Sequence, residues 1–207
     1  MPEPLTPTAT TVLPALGPPR GLHHVAYVIR DAAETAEFYQ RVLRMELVGF
    51  VIDDKVPSTG DAFPYVHLFC ELGDGSTIAF FESVGLPPPA AASHPAYDVF
   101  NHLALDAGSK DNVDRWAEHL RAQGVEFLGP IDHHVIYSVY FHDPNGIRLE
   151  LTATTNWAMT AVEAARDLKD WQAAKAVSRQ QGGDTAPLME LIMARRAKRK
   201  ASSIAVD

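Results

Sequence analysis

The fold is decided by a β-rich stretch near the N-terminus, Leu22-His23-His24-Val25-Ala26-Tyr27-Val28-Ile29. Its β-branched and aromatic residues predict a strand. Asp31 follows, with Glu34 three residues later, which is the spacing of a helix N-cap and its reciprocal partner. Apolar residues at positions 38, 39, 42 and 43 then form one face of an amphipathic helix. The first predicted elements are therefore a strand and a helix that follows it.

Three more strand-like runs follow this helix, at Glu46–Ile52, Tyr65–Leu72 and Thr77–Phe81. The turn Gly73-Asp74-Gly75 separates the last two runs, as in a hairpin. The first unit thus has the predicted order β-α-β-β-β and spans residues 21–85.

The same order starts again after a linker at 86–97, which is rich in Pro and Ala. Strands are predicted at 100–105, 125–128, 137–141 and 147–151, and the apolar residues Val113, Trp116 and Leu120 predict a helix that ends near Gly124. This second unit spans residues 98–155. The two units indicate an internal duplication, in which His24 and His102 open equivalent strands.

The remaining segments flank the duplicated region. Residues 1–20 are rich in Pro and Thr and are predicted to be a flexible leader without the features of a signal peptide. Residues 156–207 are predicted to be a helical extension that ends in a basic tail, Arg195-Arg196-Ala197-Lys198-Arg199-Lys200, which usually is a solvated tail. The predicted fold class is α+β: two βαβββ modules that pair into one domain with curved mixed sheets, plus this extension.

The composition of the 207 residues limits the classes of function. An apolar content of 46% is ordinary for a globular protein, and the net charge of −8 argues against nucleic acid as a partner, because phosphate binding needs a basic face. The single cysteine, Cys70, excludes an intramolecular disulfide and suits a reducing compartment. No apolar run approaches the length of a membrane span. We therefore expect a cytoplasmic protein with a small-molecule partner.

Three residues are candidates for a metal site: His24, His102 and Glu150. The histidines occupy equivalent positions in the two modules, and Glu150 lies on the last strand of the second module, four residues after Gly146. If the modules pair about a pseudo-twofold axis, their curved sheets enclose one cavity on which these side chains can converge. Two histidines and one carboxylate match the facial triad of non-heme iron enzymes, which leaves coordination positions open.

The chain resembles the vicinal oxygen chelate superfamily, which includes glyoxalase I, bleomycin and fosfomycin resistance proteins and type I extradiol dioxygenases. Three segments in order carry the resemblance, which covers residues 21–155: Leu22-His23-His24-Val25-Ala26 with Asp31 and Phe38-Tyr39-x-x-Val42-Leu43, then Asn101-His102-Leu103-Ala104-Leu105, then Tyr140-Phe141-x-Asp143-Pro144-Asn145-Gly146-x-x-Leu149-Glu150. The resemblance implies two paired βαβββ modules around a metal centre, and it implies that the chain is an enzyme.

A possible fourth metal-ligand position distinguishes glyoxalase-type from extradiol-type members of this superfamily. Glyoxalase-like members place a further carboxylate on the last strand of the first module, and alignment of the two turn glycines puts Ala79 there. Glu82 is three residues further on, and this odd spacing puts it on the opposite face of the strand. A count of three ligands favours an extradiol-type centre. Fe(II) is the metal that this implies, with Mn, Ni or Zn as alternatives.

The resemblance also implies catalytic residues. Tyr140 matches the tyrosine that hydrogen-bonds a substrate hydroxyl in extradiol dioxygenases, while His133 and His94 are candidates for the histidine that transfers protons. His67 is either a residue that lines the cavity or a satisfied histidine of the core. The function implied is ring cleavage of a catechol-like aromatic diol with O2. The helical C-terminal extension is long enough to pack on a partner subunit, so we expect a homo-oligomer. Two alternatives stay open: a glyoxalase-like metal-dependent lyase or isomerase, and a non-catalytic ligand-binding protein of the same fold.

Overall fold

The computed structural model describes residues 17–83, 85–87, 94–157 and 159–204, so most of the predicted leader and part of the predicted linker lie outside the described residues. The chain divides into two compact units, residues 1–155 and 156–207. The elements of the first unit, in chain order, are β1 (His24–Val28), α1 (Ala32–Arg41), β2 (Glu46–Asp53), β3 (Tyr65–Glu71), β4 (Thr77–Ser83), α2 (Pro95–Phe100), β5 (Leu103–Asp106), α3 (Lys110–Ala122), β6 (Phe127–Asp132), β7 (Ile136–His142) and β8 (Arg148–Thr154).

Each module forms one four-stranded mixed sheet, as predicted. The strand order is β1-β4-β3-β2 in the first sheet and β5-β8-β7-β6 in the second. In both sheets the first strand pairs parallel to the last, and the other pairs are antiparallel. The order is the same because the connections are the same: a helix links the first two strands, and the remaining strands follow one another. The predicted fold class is confirmed.

One face of each sheet packs against the module's helix. In the first module this face carries Leu68, Ile78 and Phe80, which are fully buried together with Tyr39 of α1. The helix begins where the sequence predicted, because the side chain of Asp31 accepts a hydrogen bond from the Glu34 amide at 2.7 Å. The two modules share one cluster of buried apolar side chains. The opposite face of each sheet is open.

Polar contacts also join the two modules. The side chain of Asn145, in the turn before β8, donates to the Thr35 hydroxyl of α1 and accepts from the Arg30 amide, each at 3.0 Å. The Tyr39 hydroxyl donates to the buried carboxylate of Asp143 at 3.4 Å. The Asp143-Pro144-Asn145 turn of the second module is thus anchored on the helix of the first.

The structure differs from the predicted elements around the second module's first strand. Phe100 was predicted to start a strand, but it ends α2, and β5 begins only at Leu103. The pattern missed α2 because its apolar residues, Tyr97, Val99 and Phe100, are all exposed and so follow no helical stripe.

The C-terminal unit, residues 156–207, has two helices among its described residues, α4 (Ala161–Gln180) and α5 (Ala186–Ile204). A capping box at Thr160 and Glu163 starts α4, and the Arg195 guanidinium of α5 pairs with Asp167 and Asp170 of α4. The sequence predicts a last short helix from Pro187 to Ala194 that runs into the basic tail, but α5 continues through this basic run. No helix in the described part of the chain is both long enough and apolar enough to cross a membrane.

Candidate functional site

Strand register identifies equivalent positions in the two modules. Ala104 of β5 pairs with Glu150 of β8, and Ala26 of β1 pairs with Ala79 of β4. His102 and His24 each lie two residues before these alanines, so Ala79 is the structural counterpart of Glu150. The sequence alignment of the turn glycines leads to the same pairing. A methyl group therefore occupies the position at which the second module carries its carboxylate.

Glu82 does not replace the missing carboxylate. It follows Ala79 by three residues, and its Oε2 accepts a hydrogen bond from the Ala32 amide at 2.6 Å, at the start of α1. The side chain thus faces the helix and caps it, on the side away from the open face of the sheet. The prediction that Glu82 points to the opposite face is confirmed.

Glu150 is the buried centre of a polar cluster on the open face of the second sheet. Its side chain is 2% exposed, its Oε2 lies 2.8 Å from Nε2 of His102, and its Oε1 accepts a hydrogen bond from the Tyr140 hydroxyl at 2.9 Å. Tyr140 stands directly opposite Glu150 in the ladder of β7 and β8. Burial, and then the hydrogen bond to Glu150, raise the pKa of the Tyr140 phenol above its ordinary value.

His133 extends this cluster to solvent. Its Nε2 lies 3.0 Å from the Tyr140 hydroxyl oxygen, and because that hydroxyl donates to Glu150, the imidazole is the donor in this contact. His133 is exposed in the tight turn between β6 and β7, where His134 has a φ of +70° and its amide donates to Asp132. The structure therefore brings together four of the predicted residues in the order His102, Glu150, Tyr140, His133.

His24 lies in a separate group on the open face of the first sheet. Its Nδ1 is 2.8 Å from Nδ1 of His23, and its ring makes edge contacts with His67 and Phe69 at centroid distances of 6.5 and 6.1 Å. His67 stacks on Phe81 with 3.7 Å between ring centroids, and its Nε2 is buried without a hydrogen-bond partner. Burial, with a contribution from His24, lowers the pKa of His67 below its ordinary value.

One copy of the chain does not assemble all three predicted metal ligands. Within the residues that the structure describes, no group of three or more His, Cys, Asp or Glu side chains is arranged to hold a metal ion. His94 also lies apart from the cluster: its Nδ1 accepts from the Ala96 amide and caps α2. A catalytic role for His94 stays a prediction.

The donors that do meet are suited in kind to a divalent metal. An imidazole nitrogen and a carboxylate oxygen, His102 Nε2 and Glu150 Oε2, face each other at 2.8 Å on the open face. Imidazole and carboxylate ligands suit ions such as Fe, Mn and Zn. Tyr140 fixes the other oxygen of Glu150, as partners of ligating carboxylates do. One copy brings together two of the three predicted ligands, His102 and Glu150.

The sequence analysis missed one charged residue of this face, Arg148. It lies two residues before Glu150 on β8, so both side chains project from the same side of the sheet. Its guanidinium lies over the Tyr140 ring, 4.8 Å from the centroid, and lines a cavity of about 820 Å³ that His102 also lines. The alternation of the strand was the signal that could have identified it.

Comparisons with known proteins show what the sequence and the fold of this chain resemble. Residues 21–151 match the family model described as the glyoxalase/bleomycin resistance protein/dioxygenase superfamily. A crystal structure of a glyoxylase/bleomycin resistance protein/dioxygenase domain from Frankia sp. EAN1pec covers 68% of this chain and 100% of that chain, with a TM-score of 0.54 and 20% identity. This likeness concerns the fold.

Two curated relatives have named activities. The chain is 31% identical to 2,2',3-trihydroxybiphenyl dioxygenase from Sphingomonas paucimobilis over 134 residues, which are 63% of this chain and 40% of that protein. It is 30% identical to 2-epi-5-epi-valiolone epimerase from Actinomyces sp over 149 residues, which are 63% of this chain and 77% of that protein. The chain therefore spans less than half the length of the dioxygenase that it matches.

Proposed function

Because the chain belongs to the glyoxalase/bleomycin resistance protein/dioxygenase superfamily, we propose that it is a metal-dependent extradiol-type dioxygenase. It would cleave the ring of a catechol-like aromatic diol with O2. The observation that carries this proposal is the hydrogen-bonded series from His102 through Glu150 and Tyr140 to His133. The series joins a candidate ligand pair to a phenol and an exposed imidazole, which are the groups that positioning and deprotonation of a diol require.

The metal would be held by His102 and Glu150, with His24 as the third ligand. When bound, divalent iron supplies acidification of the diol and activation of O2, with open positions for both. Tyr140 would orient the substrate by hydrogen-bonding one hydroxyl next to Glu150. In the tautomer whose Nε2 is unprotonated, His133 would accept the released proton from the phenol oxygen at Nε2 and give the proton of Nδ1 to water, since its ring is exposed and its Nε2 lies 3.0 Å from that oxygen. Apart from His24, each of these residues is already in contact with its neighbour in the series.

We infer that His24 reaches the centre from a second copy of the chain. The open faces of the two sheets carry complementary parts, His24 on one and His102 with Glu150 on the other, and these parts stay apart within one copy. The face around His24 also leaves Val28 and Val51 56% and 46% exposed. Apolar side chains beside an incomplete polar site are typical of a surface that a partner covers. A symmetric pair of chains would place each half opposite its complement and make two centres.

An epimerase-like or isomerase-like reaction is the second candidate, and the match to 2-epi-5-epi-valiolone epimerase is the observation that favours it. Proton transfer at carbon needs a base at the metal centre. The resemblance described above implies that glyoxalase-like members carry this base as a carboxylate at the position of Ala79. The methyl side chain of Ala79 cannot act as a base. Turnover without O2 would favour this candidate over ring cleavage.

The test compares two tyrosines of the same strand. Tyr140→Phe removes the hydroxyl between Glu150 and His133, so we expect retained metal, measured by elemental analysis of the anaerobically purified protein. We expect a loss of O2 uptake with catechols of about 10²-fold or more, as for removal of a general acid–base group. Tyr137→Phe is the matched control, because Tyr137 lies on the other face of β7 and donates to Asp114. Equal uptake by both variants would remove Tyr140 from the mechanism.

A further inference from the structure

Arg148 is a half-buried cation beside the candidate metal centre. Its Nη1 donates to the carbonyl oxygen of Asp98 at 3.3 Å, whereas its Nε is buried and has no hydrogen-bond partner. Among the residues that the structure describes, Arg148 takes part in no ion pair. A buried N–H of a guanidinium that has no hydrogen-bond partner is costly. Such a group is suited to an anion that arrives from outside the chain.

The surroundings hold the guanidinium in place. It lies over the Tyr140 ring at 4.8 Å, which is a cation–π geometry, and the Asp98 carbonyl fixes one end of the fork. His142 stands opposite Arg148 in the ladder of β7 and β8, and its side chain projects to the same side. The orientation of the cation is therefore fixed before any ligand binds, which lowers the entropic cost of binding.

The cavity beside Arg148 connects it to the candidate metal centre. The lining of this cavity includes Arg148, His142, Asn101 and Tyr97, and it extends to His102. Asp98 is the one acidic residue of that lining. Along β8, Arg148 and Glu150 are two residues apart, about 7 Å at the usual rise of a strand. This separation suits a molecule with its metal-binding oxygens at one end of an aromatic ring and a negative charge at the other.

We propose that Arg148 binds a carboxylate of the substrate, so that the preferred substrate is an aromatic diol that carries a carboxylate. This inference rests on the proposed function, because it concerns the molecule bound at the same centre. A carboxylate is preferred to other anions because its two coplanar oxygens match the planar fork of N–H donors that arginine presents. The two Nη nitrogens supply that fork, since Nη1 uses only one of its N–H groups on the Asp98 carbonyl.

The test measures binding without turnover. Under anaerobic conditions, the dissociation constants of 3,4-dihydroxybenzoate, catechol and benzoate are determined by calorimetry for the wild-type protein and for Arg148→Met, which keeps the apolar stem and removes the charge. We expect Arg148→Met to weaken binding of both carboxylates by about tenfold or more and to leave catechol unchanged. Arg115→Met, a change in an exposed arginine of α3, is the control and should bind all three compounds as the wild type does.

The outcomes separate this proposal from the proposed function. Carboxylate binding that depends on Arg148, with no O2 uptake on any diol, would support the subsite and contradict the dioxygenase. Equal binding of the carboxylates by wild type and Arg148→Met would overturn the subsite whatever the uptake. If inorganic phosphate displaces benzoate with equal affinity, the assignment to a carboxylate is wrong. Should Arg148→Met not fold, by circular dichroism, Arg148→Lys replaces it, since this variant keeps the charge and loses the fork.

Discussion

At the scale of single residues, Glu150 shows what the site demands of the fold. A carboxylate that is almost fully buried is unfavourable unless hydrogen bonds replace its lost water. His102 and Tyr140 supply those bonds, one to each oxygen. The sequence could predict the face on which these side chains lie, because alternation along a strand is local. The same alternation could have placed Arg148 on this face, but the contacts of its guanidinium with Asp98 and Tyr140 depend on the fold.

Cys70 provides a prediction at this scale. Its side chain is fully buried in the first module, and burial raises the pKa of the thiol to about 11. The thiolate is the reactive form, so at pH 8 the native protein should react with the reagent DTNB only as fast as it opens. Release of thionitrobenzoate followed by absorbance measures this, with the denatured protein as the control that reacts at once. Fast stoichiometric labelling of the native protein would show that Cys70 is accessible.

At the scale of elements, the strands and two helices of the modules followed from sequence because their patterns are local and regular. The period of two predicted every strand to within a few residues, and Asp31 predicted the start of α1. The predictions for two helices, α2 and α5, were wrong for physical reasons. The exposed apolar residues of α2 gave no stripe, and α5 continues through charged residues that are themselves good helix formers.

Gly129 gives a prediction for the element β6. The register of β6 with β7 shifts between Leu128 and Ile131, and Gly129 there has a φ of +114°, a conformation that side chains rarely adopt. A Cβ at this position would lie 2.8 Å from the carbonyl oxygen of Ser138. Gly129→Ala should therefore lower the free energy of unfolding by about 3 kcal/mol or more, because a close contact adds to the backbone cost.

The matched control separates the two causes. Gly124 ends α3 with a φ of +71°, and a Cβ there would meet nothing within 4 Å. Gly124→Ala should cost only about 1 kcal/mol, the price of the left-handed conformation alone. Urea unfolding at equilibrium measures both variants. Equal losses would mean that the close approach to Ser138 does not matter.

At the scale of the whole molecule, the duplication was visible in the sequence but its assembly was not. The order of elements repeats, and that order alone predicted two equivalent sheets. Which open face meets which depends on contacts between residues far apart in the chain, or on different chains, and no local pattern contains them. The anchoring of the Asp143-Pro144-Asn145 turn on α1 is such a contact. For the same reason the sequence could not decide whether His24 joins His102 within one chain or from a second copy.

A mixing experiment tests whether two copies share the centre. His24→Ala and Glu150→Gln are each expected to lose metal and activity. In a pair that contains one of each, one of the two shared centres combines the intact His24 of one chain with the intact Glu150 of the other. Mixed pairs, isolated with two different affinity tags, should therefore recover about half of the wild-type metal content and O2 uptake.

The contrary outcome is equally clear. If each centre belonged to a single chain, every centre in the mixed pair would carry one substitution, and neither metal nor activity would return. Metal recovery without O2 uptake would support the shared centre and count against ring cleavage. Pairs in which both chains carry both substitutions are the control, since they have no intact centre under either arrangement.

The equivalence of Ala79 and Glu150 has a consequence for how this molecule tolerates change. A duplicated fold holds two versions of every position, and here one version keeps a demanding buried acid while the other has a small apolar residue that is fully buried. Mutations that adjust chemistry generally reduce stability, and a protein accepts them only from a reserve. The first module has no buried acid at this position, so it can supply the stability that substitutions in the second module remove. Selection for new substrates would then act on the second module while the first keeps the chain folded.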